Sequence, residues 1–189
     1  PDPNRTDHGT TAGTLTQAVG AVLKSTLPTG ARAPRWAIDS IVGAGPDAGR
    51  TRIGTTPEFL AGLVWSLLRS GRPGDALRLA DRRGSVALSR TAGEALPTTQ
   101  SVCYSVLAEA FLLNGRLPDA AAAARSAADY AVTSDPHRFR ALALLAAALS
   151  VNGETASAAE AVGAARELGE ERGWIAASWP MVLASAQIG

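Results

Sequence analysis

Ser70-Gly71-Arg72-Pro73-Gly74-Asp75-Ala76, Asn114-Gly115-Arg116-Leu117-Pro118-Asp119-Ala120 and Asn152-Gly153-Glu154-Thr155-Ala156-Ser157-Ala158 read as three versions of one turn. Their glycines stand 44 and 38 residues apart, and Gly189 continues the series 36 residues later. Self-similarity at such a period is the mark of a stacked array of helical units. Each position has a physical reason. The glycine ends one helix in a left-handed conformation, and the Asp or Ser four residues on is placed to cap the next helix. The alanine five residues on lets the paired helices approach closely. Eight residues before the glycines stand Leu63, Leu107 and Leu145, seven before them Val64, Ala108 and Ala146, and four before them Leu67, Phe111 and Leu149. Twelve residues after the second and third glycines the chain carries Ala127 and Ala165, where the first unit has Arg83.

Working outward from these turns, apolar residues at helical spacing place helices near 57–70, 74–91, 98–114, 117–133, 137–151, 155–171 and 175–187. No segment alternates in the manner of a strand. Upstream, Leu15, Val19, Val22 and Leu23 mark a first helix, and Trp36, Ile38, Ile41 and Val42 a second, followed by a glycine-rich loop over 43–54. Residues 1–13 read as a flexible linker. The fold class is therefore all-α. Residues 14–189 form a single helical-repeat domain, with units at about 57–97, 98–136 and 137–173 and flanking helices at 14–43 and 174–188. Trp174 and Trp179 are placed to cover the apolar end of the last unit, as terminal repeats require.

The Leu, small, large pattern of each first helix and the Gly-x-x-x-x-Ala turn resemble tetratricopeptide repeats, most closely in Tyr104, Leu107, Ala108, Phe111, Gly115, Ala120 and Ala127. The family period is about 34 residues, so the longer spacing here resembles the helical regions of actinobacterial LuxR-type and other signal-transducing transcription regulators. The resemblance implies a right-handed α-α superhelix of antiparallel helix pairs whose first helices line a concave groove. It places Glu58, Ala61, Trp65 and Arg69 on that groove in the first unit, Ser105, Glu109 and Leu112 in the second, and Arg140, Ala143, Ala147 and Ser150 in the third. Trp65 is the expected anchor, with Arg69, Glu109 and Arg140 as polar readers. The function so implied is recognition of a protein, a peptide or a neighbouring domain of the same chain. The alternative is a sensory domain with a small-molecule effector held near Trp65.

The rest of the sequence argues against chemistry of its own. The two histidines have no companion at metal-ligand spacing; His8 lies in the polar start, and His137 follows Ser134-Asp135-Pro136 at a helix start with Asp135 as cap. Cys103, between Val102 and Tyr104, reads as core and suits a reducing, cytoplasmic compartment. Gly43-Ala44-Gly45 lacks the third glycine and the helix of a dinucleotide fingerprint. No enzyme, cofactor or metal is expected. With 18 basic against 17 acidic residues, the chain offers no electrostatic case for nucleic acid or membrane. The charge is nonetheless polarised: Arg69, Arg72, Arg78, Arg82, Arg83 and Arg90 outnumber Asp75 and Asp81, whereas glutamates prevail over 154–172. Of the basic residues all but Lys24 are arginine, which points to a GC-rich genome. The first residue is proline and the one methionine is Met181, so a fragment of a multidomain protein is expected.

Overall fold

The computed structural model describes residues 57–80, 96–132, 134–170, 172–174 and 178–188. They build seven helices: α1 (Pro57–Arg69), α2 (Pro73–Leu79), α3 (Pro97–Leu113), α4 (Leu117–Tyr130), α5 (Asp135–Val151), α6 (Thr155–Gly169) and α7 (Trp179–Ile188). No strand occurs among the described residues. The linker and helices expected over 1–43, the loop at 43–54, and the distal part of the 74–91 helix with Arg82, Arg83 and Arg90 lie outside them.

The three glycine turns share one hydrogen-bond pattern. Gly71, Gly115 and Gly153 have φ of 69°, 73° and 83°. Their N–H groups donate to the carbonyls of Leu68, Leu112 and Ser150, each at 3.1 Å. The next residues, Arg72, Arg116 and Glu154, donate to Leu67, Phe111 and Leu149 at 3.0, 3.0 and 2.9 Å. This is the Schellman arrangement, which satisfies two orphan carbonyls at the end of a helix and redirects the chain. Substituting Gly115 with alanine is expected to cost about 1–2 kcal/mol, because a Cβ is disfavoured at that φ although nothing lies within 4 Å of it. Urea denaturation of the Gly115→Ala protein checks this, and an unchanged midpoint would refute it.

The expected caps are corrected in one respect. Asp75, Asp119 and Ser157 do not cap α2, α4 and α6; the N-cap residues are Arg72, Arg116 and Glu154, none with a side-chain cap bond. The aspartates instead sit in the first helical turn and pair with the N-cap arginines, Arg72 to Asp75 and Arg116 Nε to Asp119 at 2.7 Å. Arg116 also lies over the Phe111 ring, 4.4 Å from its centroid. Likewise Asp135 is inside α5 and Ser134 is its N-cap.

The alanines meet their purpose. Ala76, Ala120, Ala158, Ala127 and Ala165 are all fully or almost fully buried, as are Leu67 and Leu149. Small side chains let consecutive helices pack at short range, so the core is made of many alanines with few rings. By internal contacts the chain divides into two compact units, Pro1–Ser85 and Val86–Gly189. In the first, α1 packs on α2. In the second, α3 packs on α4, α4 on α5, α5 on α6 and on α3, and α7 closes the stack against α5 and α6. Ser101 Oγ donates to the Ala127 carbonyl at 2.8 Å, joining α3 to α4 inside this core.

Of the helix expected over 175–187, residues 175–177 lie outside the described ones; α7 begins at Trp179, with Pro180, which lacks an N–H, in its opening turn. Met181 and Ala184 of α7 are fully buried in a cluster with Phe139, Ala143, Ala146, Ala161, Val162 and Ala165, against which Trp174 packs half-buried. The end of the array is thus covered by α7 and Trp174 together.

Candidate functional site

On α1 the exposed residues are Glu58, Gly62, Trp65 and Arg69. Spacings of four, three and four put them on one ridge, because residues three and four apart are neighbours on a helix surface. The opposite side, Ala61, Leu63, Val64, Leu67 and Leu68, is buried. Ala61 therefore does not belong to the candidate face, and Gly62 takes its place. Trp65 is 42% exposed. The Arg69 guanidinium lies 5.3 Å from the centroid of its ring, within the range of a cation–π contact. The indole is therefore presented to solvent beside a fixed positive charge. A Cβ built at Gly62 meets nothing within 4 Å among the described residues.

The residues expected on the groove of the second and third repeats are placed differently. Ser105, Glu109, Leu112, Ala147 and Ser150 are buried, as is Ala143. Arg140 alone of that set keeps substantial exposure, 35% of its side chain, and it donates to Glu109 Oε2 at 2.5 Å. A carboxylate that is 4% exposed would carry a large desolvation cost without such a partner. Glu109 and Arg140 are thus a cross-link between α3 and α5, the first helices of successive units, and each neutralises the other. Two apparent polar readers act here on one another.

The basic stretch after α1 is partly neutralised as well. Asp75 accepts from both Arg72 and Arg78. Burial pushes its carboxyl up, but the hydrogen bond from Arg78 and the charge and hydrogen bond of Arg72 outweigh it and hold the group below the usual carboxylate range. A pKa depressed on folding contributes stability above the unfolded value, near 4, that is lost as pH falls through the folded value. Asp75→Asn should therefore lower the melting temperature at pH 7, with the gap to the parent protein closing below about pH 4. A gap that stays constant across that range would contradict the assignment. At the acidic end Glu154, Glu160, Glu167 and Glu170 are all exposed along or beside α6.

Elsewhere, Cys103 is buried in α3, as its apolar flanks predict. Among the described residues no group of three His, Cys, Asp or Glu side chains gathers in metal-binding fashion, and no helix is long and apolar enough to cross a membrane.

Residues 57–82 and 101–126 match the family model described as Tetratricopeptide repeat. The chain carries a tetratricopeptide-like helical region. The fold is accordingly all-α and of the tetratricopeptide-like solenoid type, seen in the second unit as helix pairs stacked one on the next. Comparison with curated proteins and with solved structures returned no match. The matched stretches cover α1 and α2 with their turn, and most of α3 and α4 with theirs. The pair α5 and α6 repeats the same tetratricopeptide-like turn at Gly153.

Proposed function

We propose that this tetratricopeptide-like region is a protein-recognition module of a multidomain, cytoplasmic bacterial transcription regulator, engaging a partner protein or another domain of its own chain. The observation that carries the reading is the exposed Trp65 on the α1 ridge with Glu58 and Arg69 at its ends. Large exposed aromatics are costly to leave in water, and Trp is the residue most enriched where binding energy concentrates. In the second and third repeats the proposed contact residue is Arg140, which Glu109 holds in place; Ser105, Leu112 and Ala147 are buried. Arginine-skewed composition and repeats longer than the family norm support the regulator context.

A small-molecule pocket needs walls that bury most of the ligand. An indole 42% exposed on one helix ridge is better suited to a protein surface.

The test is Trp65→Ala in the full-length protein in its host. The indole is 42% exposed, and the buried side of α1 is formed by Ala61, Leu63, Val64, Leu67 and Leu68, so folding should be retained while the proteins recovered with the parent chain are lost. An unchanged set of partners and an unchanged regulatory output would overturn the reading.

A further inference from the structure

We propose that α7 is the first helix of a fourth tetratricopeptide-like repeat, and that its Val182–Ser185–Ala186 face seats that repeat's second helix, an alanine-bearing helix of the same polypeptide following Gly189. The inference does not depend on the Trp65 ridge.

The repeat register carries the argument. Counted back from the turn glycines, the residues at seven, four and three places are Val64, Leu67 and Leu68 in α1 and Ala108, Phe111 and Leu112 in α3. In α5 they are Ala146, Leu149 and Ser150. Spacings of three and four put each trio on one helix face, and every one of these residues is buried. Counted back from Gly189, the same places fall on Val182, Ser185 and Ala186 of α7. Val182 and Ala186 are exposed, and Ser185 is only half-buried. Val64 and Val182 are the same residue at the same place, 3% exposed in one helix and 58% in the other.

The difference lies in what each helix has beside it. α1, α3 and α5 each pack on the second helix of their own pair, α2, α4 and α6, whereas α7 packs on α5 and α6, the pair before it. The rest of α7 keeps to the repeat. Met181 and Ala184, eight and five places before the glycine, are buried, as Leu107 and Ala110 are in α3. The side of α7 turned to the preceding pair is filled, and the side corresponding to the one that α1 buries where α2 is its neighbour is open.

α7 is not built to end an array. A terminal repeat needs a polar outer face, yet α7 contains no charged residue and turns Val182 and Ala186 outward. The chemistry of the occupant follows from α2, α4 and α6. Each brings a buried alanine five residues after its turn glycine, Ala76, Ala120 and Ala158, which lets paired helices approach closely. Gly189 stands at the sequence position of the next such turn, so the occupant belongs to the same polypeptide.

Hydrogen exchange read by mass spectrometry on α7 peptides tests this. The proteins compared are the full-length protein, the full-length protein lacking about 35 residues after Gly189, and the 189-residue chain. α7 should exchange at least about tenfold more slowly in the first than in the other two, because a covered helix opens less often. Val182→Glu should remove that protection in the full-length protein, with exchange in α3 and α4 unchanged as the sign that the fold is kept. The same substitution should leave α7 of the 189-residue chain as it was. A gene that stops at Gly189, equal exchange of α7 in all three proteins, or an equal effect of Val182→Glu in the full-length protein and the 189-residue chain would each overturn the proposal. Protection that survives the deletion would give the face to a second copy or another protein, and would overturn it as well.

Discussion

Phe139→Ala is expected to destabilise the protein by about 3–5 kcal/mol, at the upper end for a core substitution. Phe139 is 6% exposed in α5, in a cluster with five alanines, Val162 and Met181, against which Leu142, Leu145, Leu168, Trp174 and Ile188 pack. The five alanines of the cluster cannot extend into the vacated space, so much of the cavity persists and its cost adds to the lost burial. The Trp174 ring, tilted 53° with its centroid 5.6 Å from that of Phe139, loses its support. Gly169 gives this prediction a sharper form. Its backbone is not left-handed, so alanine is allowed there conformationally; the obstacle is the Phe139 ring, 2.6 and 2.8 Å from an added Cβ at its nearest atoms. Gly169→Ala alone should therefore cost about 1–3 kcal/mol through overpacking. In the Phe139→Ala background the methyl enters free space and that cost should vanish, a coupling of about 1–3 kcal/mol in a double-mutant cycle. Denaturant midpoints of the four proteins measure it. Strict additivity would mean that the two residues do not meet in solution as they do here.

Arg140→Ala is expected to cost about 2–3 kcal/mol, because it leaves the buried Glu109 carboxylate without the guanidinium that neutralises it. The Arg140 side chain is 35% exposed, and that places the value below the figure for a fully enclosed pair. The informative comparison is the double variant Glu109→Gln with Arg140→Gln. With no charge left to bury, it should recover most of the loss. Equal stability of Arg140→Ala and the parent in urea would show the pair to be incidental. The same pair explains why Arg140 is a poor probe of recognition: its removal loosens the joint between α3 and α5, so lost binding could reflect lost structure. Trp65, outside the core, does not have this ambiguity.

The repeat itself was legible because it is local chemistry. Gly71, Gly115 and Gly153, the alanines five residues on and the large residues four residues back are each required by a Schellman turn between closely packed helices, and all adopt the conformations and burial their spacing requires. On α1 the resemblance places Glu58, Trp65 and Arg69 on one face, and all three are exposed together with Gly62, whereas Ala61, expected with them, is buried. The cap positions were misjudged by taking Asp75 and Asp119 for N-caps. Only the backbone shows that the helix begins earlier, at the arginines with which they pair.

What the sequence by itself determined is therefore the class of fold, the positions of the turns and the small-residue packing, because these depend on contacts within a few residues or on a period repeated along the chain. What the tertiary structure alone decided is which polar groups meet water. Glu109 and Arg140 lie 31 residues apart and become partners only when α3 and α5 pack side by side. Phe139 imposes a glycine at position 169 only because α6 returns along α5. Burial and pairing are properties of the surfaces that helices present to one another, and a linear pattern records the face of each helix without recording what lies against it.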